Sequence, residues 1–482
     1  MGYRIVIIPP SVNIRSSTLE LLKSFTSAGG TIFIVGSMPH LVDGKPSEEA
    51  RWFLSEHAHR VDGAERFDYS EIVESISDAN GRTVVVRNTD GTDTPQLKVN
   101  RRIWNGCEIL YLANVSRDHI TASVTFDFAV NGVIEEWDLS TGTTTPFAPC
   151  SISEPCIHQV SWHPRQARAF VAVPRSVDMP PPRKWQEARR LQPSWTGKRT
   201  EPNALLLDTV IRVKGDMSQP TQSISDAQND LSKRNASDTT KPITFEYPFE
   251  VNAEAIPTGN LRIAGEFEGN SKITLNDHPA SPLPNTWFLD PAIRVVGAER
   301  VVRGINTLRI TGVFEQPESL QSAFLLGDFD VATSDDVHFA ITAPRERIPI
   351  GPWPEVGLPF YAGTVVYTTV IDLRSEAGSR IILDLPGLVG AAEIRVNGAI
   401  VDHILWPPYS CDISANTHDG ENVIEIEVAN TLRNLLGAHY NYNEETQAGI
   451  SIASYSAPYG AKKQFKAYGM LSAPEIVIER AE

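Results

Sequence analysis

The chain has 482 residues, too many for one hydrophobic core, so three or four domains are expected. Hydrophobic residues at 41% and charged residues at 21% are the make-up of a soluble globular protein, and no apolar run is long enough to span a bilayer. A formal net charge of −16 disfavours nucleic-acid phosphates, and the one basic run, Arg183-Lys184 with Arg189-Arg190, is short and reads as a solvated linker face.

Residues 4–8 read as an apolar strand bounded by Pro9-Pro10. A helix with Leu19, Leu22 and Phe25 at helical spacing follows, with an N-cap expected at Ser16-Ser17-Thr18. Gly29-Gly30 ends it, Thr31–Val35 is a second buried-type strand, Ser47–His57 a second helix, and Thr83–Arg87 a further strand. This βαβ pattern implies a partial, flavodoxin-like parallel sheet over residues 1–95. With so few strands, that domain is expected to be the tail of something larger or to dock on a neighbour. No signal peptide is read at the N-terminus, so a complete chain would be cytoplasmic.

Short strands at Glu108–Leu112, Ser123–Phe128 and Val133–Trp137 predict a small β-sandwich over 96–175. Residues 176–203, with Pro180-Pro-Pro182, read as a linker, and the polar stretch 214–241 as a long loop. An internal repeat then dominates. Ile273-Thr-Leu-Asn276-Asp277 is echoed by Ile394-Arg-Val-Asn397-Gly398, Trp287-Phe-Leu-Asp290 by Trp406-Pro-Pro-Tyr409, and Gly304-Ile-Asn306 by Gly420-Glu-Asn422. The Asn-Asp and Asn-Gly pairs suit tight hairpins. Two antiparallel jelly-roll sandwiches are expected, over 204–335 and 336–482. The fold class is therefore multidomain and mainly β, with one small α/β portion.

The last repeat, carrying Val396-Asn-Gly398, Trp406–Tyr409, Asp412-Ile413, Gly420-Glu-Asn422 and Val428–Asn434, resembles the galactose-binding-like domain of glycoside hydrolases. The string Asn434-Leu-Leu-Gly437-Ala-His439 is similar to the C-terminal region of α-L-rhamnosidase-type enzymes of glycoside hydrolase family 106. Pro9-Pro10, Ala28-Gly-Gly30, Trp137-Asp138 with Thr141-Gly142, and Leu325-Leu-Gly327-Asp-Phe329 fit the same post-barrel region. The resemblance implies an accessory, carbohydrate-binding portion acting on rhamnose-containing glycans beside a catalytic (β/α)8 barrel. No barrel is recognisable here, so no catalytic residue is carried over. The alternatives are a self-sufficient hydrolase with its site at a domain junction, and a structural protein-interaction module.

Glycoside hydrolysis needs two carboxylates flanking the scissile bond. The candidates Glu135-Glu136, Asp335-Asp336, Glu425/Glu427 and Glu444-Glu445 read as surface charge. Histidine and cysteine spacings match no zinc motif. No cofactor is called for, calcium excepted, with Asp412 or Asp290 as possible donors. Cys150 and Cys156 are near enough in sequence to close a small disulfide loop in an oxidising compartment, and Cys107 and Cys411 read as buried thiols. Sugar binding needs aromatic faces for the C–H side of a pyranose and planar polar groups for its hydroxyls. Trp406 and Tyr409 on the Pro-Pro turn, with Arg433, Asn434, His439 and Tyr440 on the following loop, are the expected carbohydrate-binding residues. A core-plugging Trp406 is the competing reading.

Overall fold

A computed structural model describes residues 3–61, 85–175, 185–214, 217–218, 220–235, 238–252, 261–267, 271–298, 301–374, 378–438 and 462–481. The protein is multidomain and mainly β, in two compact units, Met1–Pro180 and Pro181–Glu482. No helix among the described residues is long and apolar enough to cross a membrane.

In the first unit, strands Ile5–Ile8 and Thr31–Val35 pair in parallel as expected, and a strand that was not expected, Ala58–Val61, joins them on the other side of Thr31–Val35. Helices Ser16–Ser27 and Glu48–His57 bury Leu19, Leu22, Phe53 and Leu54 against Ile32 and Ile34. Ser47 caps the second helix, accepting from the Ala50 amide at 3.2 Å. The first helix departs from expectation: Arg15 stands at its N-cap and no side chain caps it.

The strand read near Thr83–Arg87 also belongs elsewhere. Its described part, Val85–Asn88, pairs antiparallel with Ile120–Phe126, which pairs in turn with Cys156–Trp162. This sheet faces a five-stranded one, and Phe126, Phe128, Trp162 and Phe170 fill the space between them. Val85–Asn88 is thus a sandwich strand, drawn in because one face of that sheet must be covered.

The repeat in the sequence is a repeat in topology. One sandwich orders its sheets Asn203–Leu207, Ala323–Gly327, Arg262–Gly265, Asp290–Gly297, Ser281–Phe288 and, opposite, Thr209–Lys214, Pro242–Val251, Gly304–Val313, Lys272–Leu275, His278–Pro279. The other runs Trp185–Leu191, Glu475–Ala481, Ser379–Asp384, Ser410–Asp412 and, opposite, Thr196–Arg199, Thr364–Leu373, Gly420–Ala429, Ala391–Val396, Ala399–Ile404. The order of equivalent strands is the same in both.

Two expectations fall here. Residues 185–199, read as linker, supply an edge strand to each sheet of the second sandwich. The first sandwich is therefore inserted within the second, whose strands come from 185–199 and from beyond residue 348. Their partners lie far away in sequence, beyond the reach of a local pattern. The stretch 214–241, read as loop, contains helix Ile224–Ser232, which buries Ile224, Ala227 and Leu231 and is capped by Ser223 at 3.1 Å from the Asp226 amide.

Candidate carbohydrate-binding site

In the second sandwich the pairing Ile404↔Ala392↔Val428↔Val365↔Arg199 brings several strand ends to one rim. The loops carrying Trp406–Tyr409 and Arg433–Ala438 both start from this end of the sheet. Trp406 is 38% exposed, so it does not plug the core. Tyr409 is half-buried against the second core, where burial pushes its hydroxyl pKa up.

The described part of the second loop faces inward. Asn434 is buried, with Nδ2 donating to the Lys466 carbonyl at 2.8 Å and Oδ1 accepting from the Lys466 amide at 2.9 Å. Leu435 and Ala438 enter the core of the other sandwich, beside Phe360 and Phe465. Arg433 donates to the Gly437 carbonyl, closing the short helix Arg433–Leu436 on itself. Asn434 is thus a buried brace between chain segments, bonded through both its amide nitrogen and its oxygen to Lys466, rather than a group open to ligand. His439 and Tyr440 lie outside the described residues. Of the expected binding residues that are described, Trp406 alone presents an exposed aromatic ring.

The other sandwich places a fuller set of groups together. Strand Ser281–Phe288 pairs with Asp290–Gly297 at Pro282↔Val296 and again at Trp287↔Arg294. Between these pairs Leu283 to Thr286 bulge opposite the single residue Val295. Asn285 sits at φ 57° and Leu289 at φ 61°, left-handed conformations that a leucine adopts only at a cost of order 1–3 kcal/mol. The bulge opens a groove of about 560 Å³ at the edge between the two sheets, within the size range of small-molecule sites.

The floor of this groove is apolar, from Phe267, Ile273, Leu283 and Val295, and its rim is polar, from Asn285, Thr286 and Arg294. Trp287 is 55% exposed beside it, directly across the strand pair from Arg294. The Arg294 side chain has no hydrogen bond or ion pair among the described residues. An indole face suits the C–H side of a pyranose, while a guanidinium and an amide suit its hydroxyls. The signal for this site was present in the sequence as the echo of Trp406 by Trp287. What hid it was the bulge, which no spacing rule predicts.

Among the described residues, the candidate catalytic carboxylates do not come together as an acid and base. Buried Glu135 pairs with Arg175 and accepts from the Trp137 indole at 3.3 Å, whereas Glu136 pairs with Arg168. Asp335 accepts from the His338 and Val337 amides and pairs with His338, which holds its carboxyl well below the usual range. Glu425 and Glu427 share one sheet face, half-buried, and Glu444-Glu445 lie outside the described residues.

Neither proposed calcium donor fits a metal site. Asp412 accepts from Ser414 and Asp290 from the Ala292 amide at 2.8 Å, each holding its own turn, and no three His, Cys, Asp or Glu side chains converge among the described residues. The four cysteines are free. Cys411 is buried, with its pKa pushed up to about 12 by burial, and Cys107, Cys150 and Cys156 are half-buried.

No family model matches this chain. A putative β-glucuronidase from Formosa agariphila is 23% identical over 205 residues, taking in 41% of this chain and 16% of that protein. A rhamnosidase from Novosphingobium sp. PP1Y aligns with 98% of this chain and 33% of its own, at 14% identity and a TM-score of 0.46. Streptomyces avermitilis α-L-rhamnosidase, solved with L-rhamnose, aligns with 83% of this chain and 39% of its own, at 12% identity and a TM-score of 0.25. The chain thus spans well under half of the length of each of these proteins.

Proposed function

We propose that this chain is the accessory, carbohydrate-binding portion of a glycoside hydrolase of the α-L-rhamnosidase type, working beside a catalytic barrel. The observation that carries the reading is the groove beside Trp287, which joins an exposed indole, a guanidinium unpaired among the described residues and an apolar floor of sugar size. The commitment of Glu135, Glu136 and Asp335 to separate partners supports an accessory role over a hydrolytic one. The ordered motifs of the last repeat, together with likeness in sequence to a protein named as a putative β-glucuronidase, point to the same class of partner.

The test is titration of the purified chain with L-rhamnose and a short neutral rhamnoside, followed by tryptophan fluorescence. Binding is expected, and Trp287→Ala should weaken it by about tenfold or more, which is about 1.4 kcal/mol. Because Trp287 is exposed, its melting temperature should stay near that of the parent, as for most surface changes. Aryl α-L-rhamnosides should not be turned over by the same sample. Steady turnover, or sugar binding untouched by Trp287→Ala, would overturn the reading.

A further inference from the structure

The small sandwich of the first unit has an open sheet face at one edge. Strand Leu97–Trp104 is the edge strand of the five-stranded sheet and pairs with Cys107–Asn114. The two strands are joined by a two-residue hairpin turn in which Asn105 (φ 49°) and Gly106 (φ 78°) take the left-handed conformations such a turn requires. Leu97, Leu110 and Leu112 turn into the core, so the alternate residues turn outward. Lys98, Asn100, Arg102 and Trp104 therefore stand in one row, about 7 Å from one to the next, and the register sets Tyr111 directly across from Asn100. Trp104 is 60% and Tyr111 40% exposed, and Lys98, Asn100 and Arg102 are exposed as well. None of these five side chains has a hydrogen bond or ion pair among the described residues.

This face is locally basic in a chain of net charge −16. The outward positions of Leu97–Trp104, Cys107–Asn114 and the next strand, Ala167–Val173, carry two cations, Lys98 and Arg102, and no carboxylate. One strand further across, outward Glu135 is buried, pairs with Arg175 and accepts from the Trp137 indole. Glu108 faces the other way and holds Arg101 there. The two rings lie about 14 Å apart with Arg102 between them, and the two cations flank Asn100 at a similar interval. Such a row is too long for one sugar and suits a linear chain with negative charges along it and C–H faces between them.

We propose that this open face binds an extended acidic glycan, a uronate-bearing chain lying along strand Leu97–Trp104. Lys98 and Arg102 receive its carboxylates, the guanidinium through paired N–H donors and the ammonium as a point charge. Trp104 and Tyr111 stack on sugar rings, and Asn100 bonds a hydroxyl. The inference rests on the carbohydrate-binding reading above and extends it to another domain, using no residue of the Trp287 groove.

The experiment is calorimetric titration of the full chain with hexagalacturonate, with its carboxyl-reduced neutral counterpart and with hexaglutamate. Hexagalacturonate is expected to bind, and to bind more weakly as sodium chloride is raised, because exposed charge pairs are screened. The neutral hexasaccharide and hexaglutamate, one lacking the charges and the other the sugar rings, should each bind at least tenfold more weakly. Lys98→Ala/Arg102→Ala and Trp104→Ala should each lower the affinity for hexagalacturonate by about tenfold. Their melting temperatures should stay near that of the parent, since all three side chains are exposed. Trp287→Ala should leave hexagalacturonate binding unchanged. No binding of hexagalacturonate, equal affinity for its neutral counterpart, or full affinity in the double variant would overturn the proposal. Equal affinity for hexaglutamate, with no loss in Trp104→Ala, would overturn it in favour of a surface that docks acidic peptide. A neutral rhamnoside that still binds in those cases leaves the Trp287 groove standing. Loss of rhamnoside binding with hexagalacturonate binding retained removes the groove and supports this face.

Discussion

Trp287 and Trp406 hold equivalent places in the two repeats yet stand in different surroundings. The turn bearing Trp406 is filled by prolines and by Tyr409, which reaches the core, so among the described residues the ring has little beside it to complete a site. Trp287 stands over a bulge that opens the sandwich edge and faces Arg294 across the strand pair. Glu201 shows the same dependence on surroundings. Burial pushes its pKa up, but donors from Thr200, Thr364 and Tyr361 outweigh that and hold it below the ordinary glutamate value of 4.5. A lowered folded pKa means that its stabilising contribution is complete above the ordinary glutamate range and is lost as pH falls through the folded value. Glu201→Gln should therefore be less stable than the parent near neutral pH, and the gap should close as pH falls through and below 4.5. Urea midpoints measured across the acid range check this, and a gap that stays constant would refute it.

At the scale of elements, the repeated Asn motifs are structural locks. Asn306 Oδ1 accepts from the Val302 amide and Asn276 Nδ2, both at 2.8 Å, and its Nδ2 donates to the Val302 and Gly304 carbonyls. Asn422 repeats the pattern with His418, Asn397 and Gly420. Both residues are fully buried and use their whole hydrogen-bonding capacity. Asn306→Ala and Asn422→Ala should each destabilise the protein by about 1–3 kcal/mol, since buried backbone groups lose their partners. Denaturant unfolding measures it, and a change within error at both sites would refute the locking role. Helix Ile224–Ser232 belongs to this scale as well. Its cap and its Ile224, Ala227, Leu231 spacing were legible, but the polar composition of the surrounding stretch masked three apolar positions.

Across the whole molecule, the inserted sandwich depends on its host through the two crossovers. Asn203 Nδ2 donates to the carbonyls of Phe329 and Gly357, both at 2.9 Å, and so ties strand ends of the two sandwiches together. Lys463, also buried, pairs with Asp208 across the same seam. Gly197 is the tightest point of the crossovers: a Cβ there would lie 2.6 Å from the Ile348 carbonyl oxygen and 2.8 Å from the Tyr367 ring. Gly197→Ala should cost about 1–3 kcal/mol through overpacking, and a thermal melt unchanged from the parent would refute the account.

The division between what was legible and what was not follows from the range of the interactions. Apolar runs and a 3.6-residue period marked two of the three parallel strands and both helices of the first unit, but not Ala58–Val61, and the repeated Asn turns marked two sandwiches of one plan, because those signals arise between near neighbours. Length marked the chain as multidomain, and short alternating strands separated by turns marked it as mainly β. Insertion of one sandwich into the other was invisible, since strand Trp185–Leu191 finds its partner at Glu475–Ala481. The groove was invisible too, because a register shift at one hairpin decides whether Trp287 stands in the open, and register is chosen by the facing sheet. Sequence alone determined which residue types were present in each repeat. Only tertiary packing decided that Asn434 would brace a seam while the Arg294 side chain has no partner among the described residues, because burial and charge pairing are settled between segments well separated along the chain.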